Sequence, residues 1–582
     1  MNRFPLQTSV FPRLIFIALI VVAMSTRAET VLVSQSSGGE QAREYSTFPS
    51  ISDDGRFIAF LSEADNLVPG DSNGERDVFV HDRETRQTTR ANISSDGSEA
   101  NAGVGWTIKS ISDNGRFVVF SSSADNLVSG DSNLQRDVFL HDRESGETTR
   151  LSVAGDGEEA NRGSFWPGIF ADGRYVTFQS AADNLVPGDT NGISDIFLHD
   201  RETGLTRRVN IASDGSEANE LDRDWTWLWW YTNPVSDNGR YVAFTSLSSN
   251  LVPGDNNAAE DVFVHDLETG KTERVSVDSD GREWNHYSLL FDMSDDGRYL
   301  AFYSFSDHRS NPTDPEDDSD PQGLFVHDRL TGKTSHIPRG AGSATFSGGG
   351  RYLAYVGESD SAIPQESTNH WDVYVLDQQT GEALKAIVSF RGNQTDRDSY
   401  HVAISGNGRS VAFSSGATNL VPGDGNSEQD VFATDNPHLF RVNAGLNDAW
   451  YDPETPGQGF QMTVLPLTQK MFVTWVTFDS ERPSGSVPSR LGGAGQRWLT
   501  AYGPYEGRKA VLEVSSTTGG VFDAAEPVPE SQSSGTLTVD FTTCTNGTVS
   551  YDLSPIDQRR QIPVQRISLE NVPMCELLKD LD

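Results

Sequence analysis

The chain has 582 residues, with 84 Asp and Glu against 45 Lys and Arg, and a formal net charge of -39. Such acidity repels phosphate backbones and anionic lipid, so nucleic acid and membrane surfaces are excluded as expected partners. The length allows more than one hydrophobic core.

In chain order, Arg3 and Arg13 come first, then an apolar run from Leu14 to Met24, then Thr26-Arg27-Ala28. This reads as a secretory signal over 1–28, cleaved after Ala28. The apolar run is too short for a membrane span, and no later stretch is long enough. No cysteine lies near the cleavage point to carry a lipid anchor. The mature chain is expected to be exported, periplasmic or extracellular. The first 28 residues hold three arginines and no acid, so its charge is -42.

A phrase then recurs seven times. It reads Ile51-Ser52-Asp53-Asp54-Gly55-Arg56, and returns at Ile111 to Arg116, Phe170 to Arg174, Val235 to Arg240, Met293 to Arg298, Phe346 to Arg351 and Ile404 to Arg409. A sustained period means one supersecondary unit copied about an axis. Within the first copy, Arg56 to Ser62 reads as a strand, Glu63 to Arg76 as a polar loop, and Asp77 to Asp82 as a short buried strand. Arg83 to Arg86 is a tight turn, where later copies place Gly146, Gly204, Gly270, Gly332 and Gly381, as suits positive φ. Thr88 to Ile93 is a third strand, and Gly105 to Ile111 leads into the next phrase as a fourth. Four short strands per copy predict propeller blades. The last copy lacks its outer strand, while Thr30 to Ser34 looks like Thr89 to Ser94. The N-terminal strand is therefore expected to complete the seventh blade, leaving no open edge. An all-β, seven-bladed β-propeller is predicted over 29–440.

The pattern Ser-Asp-Asp/Asn-Gly-Arg-Phe/Tyr-Val-Ala-Phe followed by Asp-Val-Phe-Val-His-Asp resembles the TolB-type propeller repeats, also called WD40-like or PD40 repeats. The resemblance covers about two-thirds of the chain. It implies the propeller fold, on which binding proteins, peptidase gatekeepers and lyases all occur. TolB itself carries an α/β domain ahead of its propeller, whereas the additional domain here follows the propeller and looks all-β.

Beyond Asn436-Pro437 the repeat stops. Segments Gln461 to Leu465, Met471 to Phe478, Ala510 to Val514, Gly535 to Thr542 and Thr548 to Leu553 read as strands of a small β-sandwich or barrel over 445–582. Asn546-Gly547 reads as a hairpin turn. Cys544 and Cys575 are expected to form a disulfide. Trp450, Tyr451, Trp475 and Trp498 are either a ligand platform or core and rim of this domain.

Blade topology puts the Leu67 to Asp77 loop and the Asp96 to Asn101 loop on one acidic face. The segment Asp71-Ser72-Asn73-Gly74-Glu75-Arg76-Asp77 recurs as Asp131/Asn133/Asp137, Asp189/Asn191/Asp195, Asp255/Asn257/Asp261 and Asp424/Asn426/Asp430. Alternate hard oxygens in a tight loop suit calcium, the one cofactor expected here, although the bidentate Glu of an EF-hand is missing. The alternative is that Asp and Asn cap turns and Asp77 orders the next strand. His81, His141, His199, His265 and His327 share one repeat position, too far apart around a ring for one metal, and are expected to bond the neighbouring turn. Of the scattered histidines, including His370, only His286 and His401 lie near an innermost strand.

Trp106, Trp166, Tyr231 and Tyr400 fall just before the repeated turn, at the channel end of innermost strands. An insertion adds Trp225, Trp227, Trp229 and Trp230. With Asn101, Asn161, Asn219 and Asn285 these can line a mouth that stacks sugars or grips a peptide, or can pack blade to blade. No nucleophile elbow, HExxH, CxxC or phosphate loop is present. The reading is an exported, non-catalytic binding protein for a protein or carbohydrate ligand. A propeller polysaccharide lyase or glycoside-active enzyme and an envelope or extracellular assembly scaffold are the alternatives.

Overall fold

In the computed structural model, described residues run from 30 to 579, apart from 108, 220–232, 286, 305–321, 338–339, 359–369, 388, 390–394, 453–458, 479–495, 519–529, 554–557 and 569–570. The signal segment and Trp225, Trp227, Trp229 and Trp230 lie outside them.

The middle strands of each copy read as apolar runs because neighbouring blades cover both of their faces. Asp77–Asp82 is buried at every position, and Phe57–Ser62 at all but its first. Phe60 and Phe79 pair across these strands with ring centroids 5.9 Å apart. The same pair recurs around the ring, as Tyr355 and Tyr374 at 5.6 Å in blade six. Blade one is the antiparallel sheet Ser46–Ile51, Phe57–Ser62, Asp77–Asp82, Gln87–Arg90. Blades three, five, six and seven are also four-stranded. In blades two and four the innermost strand is present among the described residues as isolated bridges, such as Val104 with Ser122 and Val235 with Val242.

Blade seven is closed by the N-terminus. Val31 pairs with Ala433 and Leu32 with Phe432. Ser34 Oγ donates to Asp430 at 2.6 Å. Closure therefore joins the first and last strands of the ring, as the sequence similarity of Thr30 to Ser34 predicts.

The repeated polar residues of the turn face bond one another within each blade and reach the preceding copy. Arg56 donates from Nε and Nη2 to the two oxygens of Asp82, at 3.0 and 2.7 Å. Arg116–Asp142, Arg174–Asp200, Arg240–Asp266 and Arg298–Asp328 repeat this fork. The repeated histidines bond a threonine of the adjacent strand rather than the turn. His81 Nδ1 lies 2.9 Å from Thr88 Oγ1, and Thr88 Oγ1 donates to the Gln35 carbonyl of the preceding copy. The strand partner faces the imidazole directly, whereas the turn lies beyond the strand end. The hairpin glycines take left-handed φ, 76° at Gly146, while Arg86 adopts 60° in blade one.

The C-terminal domain is a closed eight-stranded barrel from Asp448–Tyr451 to Gln558–Arg566, each strand pairing with its sequence neighbour. Trp450 and Trp475 are in its core. The short helix Val572–Lys579 is tied to the barrel by the Cys544–Cys575 disulfide. The turn expected at Asn546-Gly547 sits earlier, over residues 542–545. Thr542 and Thr543 donate their N–H groups to the Asn546 carbonyl, and Asn546 opens the next strand. Cys544, held by its disulfide, occupies that turn.

Candidate functional site: the loop face and the central channel

The Asp-x-Asn loops surround a cation that belongs to the chain. Arg90, at the end of the outer strand Gln87–Arg90, places Nη1 3.1 Å from Asp71, 2.9 Å from Asp77 and 2.9 Å from Glu99. Arg150, Arg208 and Arg274 do the same with Asp131/Asp137/Glu159, Asp189/Asp195/Glu217 and Asp255/Asp261/Glu283. The asparagines cap turns: Asn73 Oδ1 accepts the Glu75 N–H at 2.9 Å, and its amide donates to Asp77 and the Ala100 carbonyl. Asn133, Asn191 and Asn257 repeat this bond from the amide to Asp137, Asp195 and Asp261. Burial and the neighbouring Asp77 push Asp71 up to about 6; burial and Asp261 push Asp255 up to about 7. Burial works to raise Glu99 too, but bonds from Ser72 and Asn73 and the Arg90 charge bring it down to about 2. The position read as a calcium site is thus shared with a guanidinium in four blades.

Blade seven solves the same problem without charge. By strand register Leu32 replaces the arginine, and Gln41 replaces the glutamate. Gln41 Nε2 donates to Asp424 at 2.8 Å and Asp430 at 2.7 Å, and Asn426 donates to the Ala42 carbonyl. Burial pushes Asp430 up to about 6. In blade six Lys385 meets Asp372 at 2.7 Å.

Asn101, Asn161 and Asn219 clasp the next blade. Asn101 Nδ2 donates to Asp125 at 2.6 Å while its backbone N–H meets Asn126; Asn161 does so with Asp183 and Asn184, and Asn219 with Ser249 and Asn250. Trp106 stands at the loop-face mouth, packed 5.2 Å from Phe48 and covered by the Arg76 guanidinium at 3.6 Å. Beside it opens a cleft of about 540 Å³ lined by Glu44, Glu63, Glu75, Arg76 and Arg136. Trp166 lies 6.0 Å from the half-exposed Phe165 in the innermost strand of blade three.

At the turn-face end of the channel the innermost strands enclose a space of about 50 Å³. There the repeated turns are linked blade to blade by backbone bonds. Asp53 N–H donates to Asp113 O, Asp237 to Asp295 O, Asp295 to Gly348 O, Gly348 to Gly406 O and Asn407 to Asp53 O, at 2.8–3.1 Å. The first Asp of the repeated phrase therefore rings the channel. Blade three carries Ala171 there and blades six and seven carry glycine, with the Asp53 carboxylate lying against Gly406. Lys109 stands among these acids, 3.9 Å from Asp113 and 5.0 Å from the Phe170 ring centroid. Burial opposes its charge, but Asp113, Asp295, Asp292 and Asp237 outweigh burial and raise it above the ordinary lysine value. Asp113 is pushed up to about 7 by burial and by repulsion from Asp53, Asp295 and Asp237, against the pull of Lys109. Lys109 and this ring went unread in the sequence. The available signal was the first Asp of the phrase, present in four of the seven copies.

Among the described residues, no helix is long and apolar enough to cross a membrane. No family model and no curated protein matches the chain. Solved structures do. The β-propeller domain of the Trilobed protease from Pyrococcus furiosus is 12% identical, with 67% of this chain and 95% of that one covered and a TM-score of 0.41. The putative TolB from Agrobacterium tumefaciens is 13% identical, with 67% and 90% covered and a TM-score of 0.30. By its own strand pairing, this chain is a seven-bladed β-propeller followed in sequence by a closed eight-stranded β-barrel.

Proposed function

We propose that the protein is an exported, non-catalytic binding protein that takes a protein or carbohydrate ligand at the loop-face mouth of its propeller. The observation that carries this reading is the open, charged cleft beside Trp106 on the loop face. At the loop-face mouth, Arg76, Arg136 and three glutamates line an open cleft of about 540 Å³, and the Arg76 guanidinium lies over the Trp106 ring. Charged groups of both signs around an open space, one of them fixed on an aromatic ring, offer donors and acceptors to a polar ligand. The Cys544–Cys575 disulfide suits an oxidising compartment, as does the N-terminal signal read from sequence.

The test is a thermal-shift screen of the mature protein with oligosaccharide and peptide panels. Hits are titrated against Arg76→Ala and Trp106→Ala. A loss of about tenfold in affinity with the ligand recovered unchanged supports the reading. Consumption of the ligand, or affinity indifferent to both variants, overturns it.

A further inference from the structure

The position just before each innermost strand sets the room between blades on the loop face. It is Gly103 in blade two and Gly163 in blade three, next to Val104 and Ser164, which pair with the second strand. Blade one has Tyr45 there and blade seven has Asp398. Together with His370, Arg397, Tyr400 and Glu428 they line a cavity of about 370 Å³ shared by blades six, seven and one. That volume is in the lower part of the range for small-molecule sites, about 300–1,000 Å³.

The cavity is a chemical elaboration of an ordinary contact of the repeat. In blades one and two, Glu75 lies over Gly103, 2.8 Å from where a Cβ would stand. His370 and Asp398 hold the same two positions, and the contact becomes a hydrogen bond: His370 Nδ1–H donates to Asp398 Oδ1 at 3.3 Å. The same oxygen accepts the Trp371 backbone N–H at 2.8 Å. Arg397 Nη1 is anchored on the Ser427 carbonyl at 3.0 Å. The polar groups are thus held in place before a ligand arrives, which lowers the ordering cost of binding. Tyr400 is 37% exposed, and Tyr45 is partly exposed beside it.

Charge decides the ligand class. One guanidinium faces two carboxylates, Asp398 and Glu428. An oxyanion would meet both acids, and a cationic chain would meet Arg397. A neutral polyhydroxylated ring needs donors and acceptors together, and its C–H face packs on aromatic rings. We propose that this cavity binds a neutral pyranose unit of a carbohydrate chain, with Tyr45 and Tyr400 as stacking surfaces and His370, Arg397, Asp398 and Glu428 as hydrogen-bonding groups. The proposal rests on the reading of the propeller as a binding protein. Glu44 and Tyr45 are consecutive and line the mouth cleft and this cavity respectively, so one chain can run from one into the other.

The test is calorimetric titration of the mature full chain with maltotetraose, cellotetraose, mannotetraose and tetra-N-acetylchitotetraose. At least one is expected to bind saturably. Tyr45→Ala and Tyr400→Ala should each weaken it about tenfold with the unfolding midpoint unchanged, while Tyr400→Phe, which keeps the ring, stays within about threefold. If none of the four binds at about 10 mM, the carbohydrate assignment is overturned, and the mouth reading is then decided by peptide probes alone. Binding lost with Arg76→Ala but kept in both tyrosine variants overturns this cavity and leaves the mouth reading standing. Binding indifferent to all of these variants overturns both.

Discussion

Arg90 shows how a residue's meaning depends on its partners. Three carboxylates within 4.8 Å of one another look like a cation site, and the cation is the arginine itself. Its side chain is 9% exposed, so removing it leaves buried carboxylates facing each other. Arg90→Leu is expected to cost about 3–5 kcal/mol in urea unfolding. The double variant Arg90→Leu/Glu99→Gln copies the neutral arrangement of Leu32 and Gln41 in blade seven, and should recover much of that loss. Calcium would have to displace the guanidinium from the native loops, so it should raise the unfolding midpoint of Arg90→Leu far more than that of the parent protein. An equal rise in both would show that the arginine does not stand in for the ion. Asp113 supplies a pH test. Its folded value, about 7, lies above the ordinary 3.8, so its contribution is most favourable at low pH and is lost as pH rises from about 4 to 7. Asp113→Asn lacks that ionisation. Its midpoint relative to the parent should therefore climb across the same window, and a difference independent of pH would sink the assignment.

At the level of elements, the sequence was most legible where repetition supplied many copies of one strand pattern. The middle strands and the closing role of Thr30 to Ser34 could be read because each had several copies to be compared with. The role of Arg90 was hidden because it lies on a different strand from Asp71 and Asp77, although an arginine recurs there in blades one to four and is lost together with the glutamate in blade seven. The barrel's strands were visible but not its closure, since one copy of each motif cannot say whether the first strand pairs with the last; the Asp448–Tyr451 pairing with Gln558–Arg566 settles it. Lys109 was invisible because a single lysine beside a repeated turn has no pattern to break. Ring closure yields its own prediction. Removing residues 29–43 strips Asp430 of Ser34 and Gln41 and exposes the strand Asp430–Asp435 as an edge. Hydrogen exchange should then speed up first in blade seven, with increased self-association. Exchange that rises evenly over all blades would mean the ring does not depend on this clasp.

The whole molecule divides into two cores joined by a short connection. Phe440, Val442 and Leu446 already belong to the barrel core, while Asn436 still serves the propeller through the Gly408 carbonyl. Between the two domains, Glu382 of blade six meets Arg508 Nη2 at 2.8 Å and Lys509 Nζ at 2.9 Å. Glu382 is 40% exposed, and both bases also pair with Asp540 within the barrel. The half-exposed Lys509 bridge contributes about 0–1 kcal/mol, and the buried Arg508 is already matched by Asp540 inside the barrel, so these contacts are too few to make two large cores melt as one. Calorimetry should therefore show two transitions. The disulfide spans 31 residues wholly within the barrel. Closing a loop of that size restricts the unfolded barrel by about 3–4 kcal/mol in the chain-entropy account, and leaves the propeller's unfolded state untouched. Reduction, or Cys544→Ser/Cys575→Ser, should lower one transition by several degrees and leave the other in place. The barrel must be the one that moves, which tryptophan emission can identify through the buried Trp450 and Trp475. A shift of both transitions together would mean that the Glu382 contacts couple the domains far more strongly than exposed charge pairs ordinarily do.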